Sequence, residues 1–285
     1  MFTYGNLLDE MQMFCRFGAE TGIVGESELG QQIPYVFVGQ KNGNCMIVQA
    51  AIHAREHLTA LLAVCQAKYL LKNSSLTLLG GIYFVPMVNP DGVRLCQEGV
   101  NCLDGDDRRA AIAINRGMDF SLWKANAKGV DLNVNFDAEW GCGTENEFEP
   151  APQNYVGTKP FCAAESRTLK DFTLRLNPCV TLSYHLKGQE VYWQFNQEGE
   201  AAERDEKLAN AIAAYTGYTV KTTPGSVGGY KDWCIQTLKI PSFTVEVGSD
   251  DFPHPFPYSQ FRTIYEQNAD LPRRLLNTVV NMRQS

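Results

Sequence analysis

No apolar run in this 285-residue chain is long enough to cross a membrane: the longest stretches, such as LLAVC and LLGGIYFVPMV, fall well short of the ~20 residues a helical span needs. Positive charge is scarce as well. Twenty-five Lys and Arg stand against 32 Asp and Glu, a formal net charge of −7 with no basic block, which argues against a nucleic-acid surface. The N-terminal MFTYGNLLDEMQMF carries acidic residues where a secretory leader has lysine or arginine, and it lacks a continuous apolar core. A cytoplasmic location is therefore expected, unless a leader has been removed. C-x-x-C pairs are missing too, so the nine cysteines (15, 45, 65, 96, 102, 142, 162, 179 and 234) form no zinc knuckle or redox pair. They read mostly as buried thiols. Cys96, Cys102 and Cys142 fall in loop-like stretches; the spacing permits a Cys96–Cys102 disulfide, which the expected compartment disfavours.

What is present is ordinary globular composition, 44% hydrophobic and 20% charged, in a length that suits one large α/β domain over residues 1–285. An amphipathic helix over about 7–17 leads through the turn-rich GESELGQQ into the strand-like IPYVFVG and CMIVQAAI, which fit a hairpin with QKNGN as its turn. HLTALLAVCQAKYLLK has helical spacing, and LTLLGGIYFVPMV reads as a buried strand ending at NPDG, a turn signal. Residues 94–165 are rich in Gly, Asn and Asp and read as mostly irregular, a loop length that usually signals function. Then follow a helix over 164–176, the strand CVTLSYH, a helix over 201–215, a short helix near YKDWCIQ, the strand SFTVEV and one long helix from about 259. Alternating strands and helices predict an α/β fold, a mixed and mostly parallel sheet with helices on both faces and function at the carboxyl ends of its strands.

The densest chemistry lies in AAIHAREHLTA, where His53, Arg55, Glu56 and His57 crowd five positions. A helix through all five would put both histidines on one face, in the H-x-x-E-H manner, with Glu56 as a base. The β-branched run CMIVQAAI argues instead that His53 ends a strand, that the helix starts near Glu56, and that His53 and Glu56 converge while His57 points elsewhere. Catalytic zinc keeps three protein ligands and one open position, so that arrangement needs a third ligand and a separate base. Two histidines remain, His185 at the end of CVTLSYH and His254 in FPHPFP, and the strand-end position favours His185. Glu246, a carboxylate inside the apolar strand SFTVEV, must be paired or functional.

With these residues the chain resembles the zinc metallocarboxypeptidase superfamily. GESELGQQIPYVFVG, IHAREH, VPMVNPDGV, LWKANAKGVDLNVNF, SYH and FTVEVG are similar to that family's segments and occur in its order over about residues 22–248. The resemblance implies one Zn2+ per chain held by His53, Glu56 and His185, with Glu246 as general base, Arg55 and Lys124 polarising the scissile carbonyl, and Asn133 holding the substrate's carboxylate end. Asp131 of GVDLN is expected to orient a ligand histidine, and an Arg55–Asp91 ion pair is the structural alternative for Arg55. Two departures concern substrate. Where carboxypeptidases follow the asparagine of DLN with an arginine that grips the C-terminal carboxylate, this chain has Val134, which cannot make that bidentate pair. Where they carry a tyrosine shortly before the GG turn, it has Pro224. SYHLKGQEVYWQF looks instead like the SYHSQGEVIYW region of bacterial peptidases that cleave the γ-D-glutamyl–meso-diaminopimelate bond, with Lys187 as a further candidate for a substrate carboxylate. A peptide or muropeptide substrate is thus implied, and neither nucleic acid nor membrane. The alternatives are a carboxypeptidase of ordinary peptides, a zinc deacylase of small acyl-amino acids and a non-catalytic binding member of the fold.

Overall fold

The strand-like runs form one mixed eight-stranded sheet in the computed structural model, which describes residues 1–222 and 225–284. Its strands are β1 (Glu20–Glu26), β2 (Gln32–Gly39), β3 (Cys45–Gln49), β4 (Gly81–Val85), β5 (Val180–Leu186), β6 (Glu190–Tyr192), β7 (Thr219–Lys221) and β8 (Ser242–Val247). They lie in the order β1-β2-β4-β3-β5-β8-β6-β7. The pairs β3·β4, β3·β5, β5·β8 and β6·β7 are parallel, and β1·β2, β2·β4 and β6·β8 antiparallel, so the centre has the expected parallel character. Nine α-helices are described: α1 (Tyr4–Arg16), α2 (Leu58–Lys72), α3 (Pro90–Glu98), α4 (Gly105–Asn115), α5 (Ala164–Leu176), α6 (Gly199–Thr216), α7 (Tyr230–Gln236), α8 (Phe261–Asn268) and α9 (Leu271–Gln284).

Alternate residues of each strand face opposite layers. Met46, Val48, Ile82, Phe84, Leu182 and Val245 pack with Leu7 of α1, Leu62 of α2, Ile212 of α6, Ile264 of α8 and Leu276 of α9. Ile47, Tyr83 and Val85 pack on the other face with Phe172 of α5, Trp233 of α7 and Phe136. Each fully buried side chain of this kind contributes about 1.5–3 kcal/mol. β5 and β8 divide differently: Leu182, Tyr184, Phe243 and Val245 join the first layer, whereas Thr181, Ser183, His185, Ser242, Thr244 and Glu246 all point to the second. Polar side chains therefore line the second face where the two central strands end.

Five expectations need correction or refinement. IPYVFVG and CMIVQ are both strands, but they do not form a hairpin, because β4 lies between them. Glycines make that insertion possible: a Cβ on Gly81 would stand 2.3 Å from the Phe37 ring, and one on Gly80 2.3 Å from Asn44 O. The actual hairpin is β1·β2, turned by the polar segment 27–31, where Ser27 N donates to Gln31 O at 2.9 Å and Gly30 has φ +76°. NPDG opens a helix: Asn89 caps α3 with its side-chain oxygen, and Pro90 occupies the first turn. The central segment holds α3 and α4 and a small core of its own, with Leu95, Val100, Ala111, Phe120 and Trp123, which orders the irregular chain that follows. The C-terminal helix is two helices, α8 and α9, separated at residues 269–270. All nine cysteines are free thiols, so no Cys96–Cys102 bond forms; Cys142 is exposed and Cys96 and Cys102 are half-buried. Pro224 lies outside the described residues.

Candidate metal centre and active site

The chain leaves β3 through a turn held from several sides. Ala51 adopts φ +47°, a left-handed conformation that costs a residue with a Cβ about 1–3 kcal/mol. Hydrogen bonds hold it there. Ala51 N donates to Thr59 Oγ1 at 2.9 Å, Thr59 Oγ1 donates to Glu56 O at 2.7 Å, and Asn89 N donates to Ala51 O at 3.2 Å. Asn89 Nδ2 adds bonds to Ile52 O and Ala125 O, each 3.1 Å. His53 is extended, a 3-10 turn covers Ala54–Glu56, and α2 begins only at Leu58. His53 and Glu56 thereby converge. His57 turns away, with its Nδ1 2.7 Å from Tyr258 Oη and its ring stacked on that tyrosine; burial pushes its pKa down to about 4.

His185, two strands along from β4 at the end of β5, completes the cluster. His53 Nδ1 lies 2.8 Å from Glu56 Oε1, His185 Nδ1 3.1 Å from Glu56 Oε2, and the two Nδ1 atoms are 3.1 Å apart. One donor atom from each of the three residues lies within 4.8 Å of the others, and all three residues are buried. Burial opposes the charge on Glu56, yet the two imidazoles hold its carboxyl well below the usual range. Two imidazole nitrogens and a carboxylate form a common three-ligand catalytic zinc set. The far side of the His53 ring supports the same fit: Nε2 sits 3.3 Å from Asp131 Oδ1, which leaves Nδ1 as the donor toward a cation. Asp131 is itself fixed by Lys124 Nζ at 2.8 Å, Asn154 N at 3.0 Å and Asn133 N at 3.1 Å. Against burial, Lys124 and His53 keep it ionised well below its ordinary range.

Glu246 is the direct cross-strand neighbour of His185, and its carboxyl is pushed up to about 8, first by burial and then by Glu56, with His185 and Lys124 opposing. Lys124, Asn133 and Val134 share the wall of a cleft of about 260 Å³ that also includes Thr144, Asn154 and Ser226. Asn133 Oδ1 accepts from Tyr230 N at 3.3 Å, which ties that wall to the start of α7. Arg55 does not pair with Asp91. Its Nη1 reaches Leu122 O at 3.3 Å and Gln153 Oε1 at 3.4 Å, while Asp91 accepts from Leu29 N. Lys187 is engaged by Asp250, through O at 2.8 Å and Oδ1 at 3.2 Å. His254 is outside the metal cluster; burial and then Arg55 lower its pKa.

A model of the zinc carboxypeptidase family matches residues 4–271. The chain belongs to the zinc carboxypeptidase family. Among curated relatives, it is 33% identical over 258 residues to a gamma-D-glutamyl-L-diamino acid endopeptidase of Lysinibacillus sphaericus, covering 86% of this chain and 64% of that protein. It is 29% identical over 276 residues to a zinc carboxypeptidase of Simulium vittatum, covering 88% of this chain and 86% of that one. Its fold matches bovine thrombin-activatable fibrinolysis inhibitor with a TM-score of 0.80 at 19% identity, over 98% and 97% of the two chains. For murein-tripeptide amidase MpaA of Escherichia coli O157 the TM-score is 0.58 at 22% identity, over 90% and 91%. The family's cofactor is one zinc ion, and the His-Glu-His set suits it.

Some residues that shape this zinc carboxypeptidase site escaped sequence reasoning. Asn89 read as a turn former, although an Asn before Pro also signals a helix cap. Thr59 looked like any helical threonine. Glu190, the antiparallel partner of Glu246 across β6·β8, carried no sequence signal, because β6 has three residues.

Proposed function

We propose that this chain hydrolyses amide bonds in bacterial cell-wall peptides, cleaving the γ-D-glutamyl–diamino acid bond, with residues 1–285 acting as one catalytic domain. The observation that carries the reading is the convergence of His53, Glu56 and His185 with Glu246 on the neighbouring strand. Bound zinc supplies a Lewis acid for the scissile carbonyl and makes a water molecule acidic near neutral pH. Glu246 takes the attacking water's proton and passes it to the departing amine. Lys124, on the cleft wall and already oriented by Asp131, stabilises the developing oxyanion, with Arg55 assisting across the turn. Asn133 contributes a side-chain amide to the substrate's carboxylate end.

Substrate choice rests on Val134. A terminal carboxylate buried against valine loses charge-assisted hydrogen bonds worth on the order of 1.5–3 kcal/mol each. Diaminopimelate carries a second carboxylate and an amine at the end of its side chain, where other groups can meet them. The name of the Lysinibacillus relative supports the same bond type. Lys187 could serve such a carboxylate only by giving up Asp250. The unpaired thiols agree with a cytoplasmic location.

The test is to incubate the zinc-loaded protein with muropeptides and ordinary peptides and to identify the cleaved bond by mass spectrometry. Cleavage of L-Ala-γ-D-Glu-meso-diaminopimelate at the γ-D-glutamyl bond is expected, with a roughly hundredfold or greater loss in Glu246→Gln. Release of C-terminal phenylalanine or arginine without muropeptide cleavage would overturn the substrate assignment.

A further inference from the structure

Beside the base stands a second carboxylate that the mechanism does not use. Glu190 and Glu246 are direct partners across antiparallel β6 and β8. Such partners project from the same face with Cβ atoms about 5 Å apart, and like charges so placed destabilise the sheet. The chain nevertheless makes room for Glu190: Gly188, at φ +148°, would with a Cβ crowd the Glu190 carboxyl carbon at 3.2 Å. The carboxylate is half-buried and holds two further groups on the same side, accepting from Tyr192 Oη through one oxygen and pairing with Lys221 Nζ through the other. Lys221 is about half exposed, so its ammonium can swing to a new partner at small cost.

We propose that Glu190 and Lys221 form the subsite for a zwitterionic amino-acid centre on the leaving side of the scissile bond, Glu190 taking its ammonium and Lys221 its carboxylate. The proposal rests on the γ-D-glutamyl–diamino acid reading above and assigns residues to its specificity. Without ligand, Lys221 neutralises Glu190. With ligand, the incoming ammonium replaces it, and the released lysine meets the ligand's own carboxylate. Charge is conserved in the exchange, so neither protein group is left uncompensated in a half-buried place. A neutral side chain at this position of the substrate would leave the protein pair closed and gain nothing from it.

Three tripeptides, L-Ala-γ-D-Glu followed by meso-diaminopimelate, L-lysine or L-norleucine, separate the contributions. Lysine keeps the ammonium and lacks the carboxylate; norleucine lacks both. In the zinc-loaded full chain, Glu190→Gln should lower kcat/KM on the first two at least tenfold more than on norleucine. Lys221→Met should lower it at least fivefold on diaminopimelate alone. Any general effect of losing a charge beside Glu246 falls on all three peptides and cancels in these ratios. Equal losses on all three, or no loss on any, would overturn the subsite while leaving the γ-D-glutamyl reading in place. Failure of the wild type to cleave any of the three, with release of C-terminal residues from ordinary peptides, would overturn the reading and the subsite together.

Discussion

Two histidines four positions apart have opposite environments. His53 meets Glu56 and Asp131, while His57 meets the Tyr258 hydroxyl and ring. His185→Ala should therefore lose most of its zinc at low micromolar protein by elemental analysis, and His57→Ala should keep it; equal loss would restore the helical H-x-x-E-H reading. Glu165 shows how burial acts away from the centre. It is fully buried in the first turn of α5, where Oε1 accepts from Glu28 N and Oε2 from Asn126 Nδ2, and burial pushes its pKa from 4.5 to about 7. Because the folded value is raised, the unfolded chain gives up this proton first, and the stabilisation from Glu165 is complete below pH 4.5 and lost as pH rises through about 7. In urea titrations, the unfolding free energy of the wild type relative to Glu165→Gln should fall across that window and level off above it.

At the scale of elements, the ligand turn is a joint between β3, α2 and α3. Asn89 does three things there: it caps α3 at Gly92 N, holds Ile52 O next to His53, and holds Ala125 O next to Lys124. Asn89→Ala strands those buried carbonyls and removes the cap, which should destabilise the protein by about 1–3 kcal/mol in urea unfolding. Because the same bonds fix the direction of His53, zinc affinity measured by chelator competition should fall about tenfold or more. A loss of stability with unchanged zinc affinity would separate the cap from the site. The legibility of elements followed their length. α2 and α5, the one 15 and the other 13 residues long, were readable nearly to the residue, and so was β5; β6 and β7, with three residues each, form because β6 pairs with the edge of β8 and β7 with β6.

For the molecule as a whole, the metal centre sits past the carboxyl ends of β3 and β5, with Glu246 beside it on β8, above a sheet buried on both faces. Removing zinc should leave those layers intact. Chelation should keep the far-UV circular dichroism spectrum while lowering the Tm, because a ligand bound only by the native state stabilises it by mass action, about 2.7 kcal/mol when zinc is a hundredfold above its Kd. Loss of the spectrum on chelation would mean that the metal, rather than the two layers, holds the fold.

The sequence by itself determined the α/β class, the metal donors proposed from HARE and SYH, and the absence of an arginine after DLN. These are written in local periodicity and in residue types whose chemistry needs no partner to be recognised. Strand order was decided elsewhere. The hairpin expected from QKNGN is displaced by β4, because Gly80 and Gly81 let a distant strand approach where side chains would clash. The pairings that tune the site, Lys124 with Asp131, Lys187 with Asp250, and Glu190 beside Glu246, also belong to the tertiary structure. Such contacts depend on register between segments far apart in the chain, and a register shift of one residue would turn Glu190 to the opposite face of the sheet.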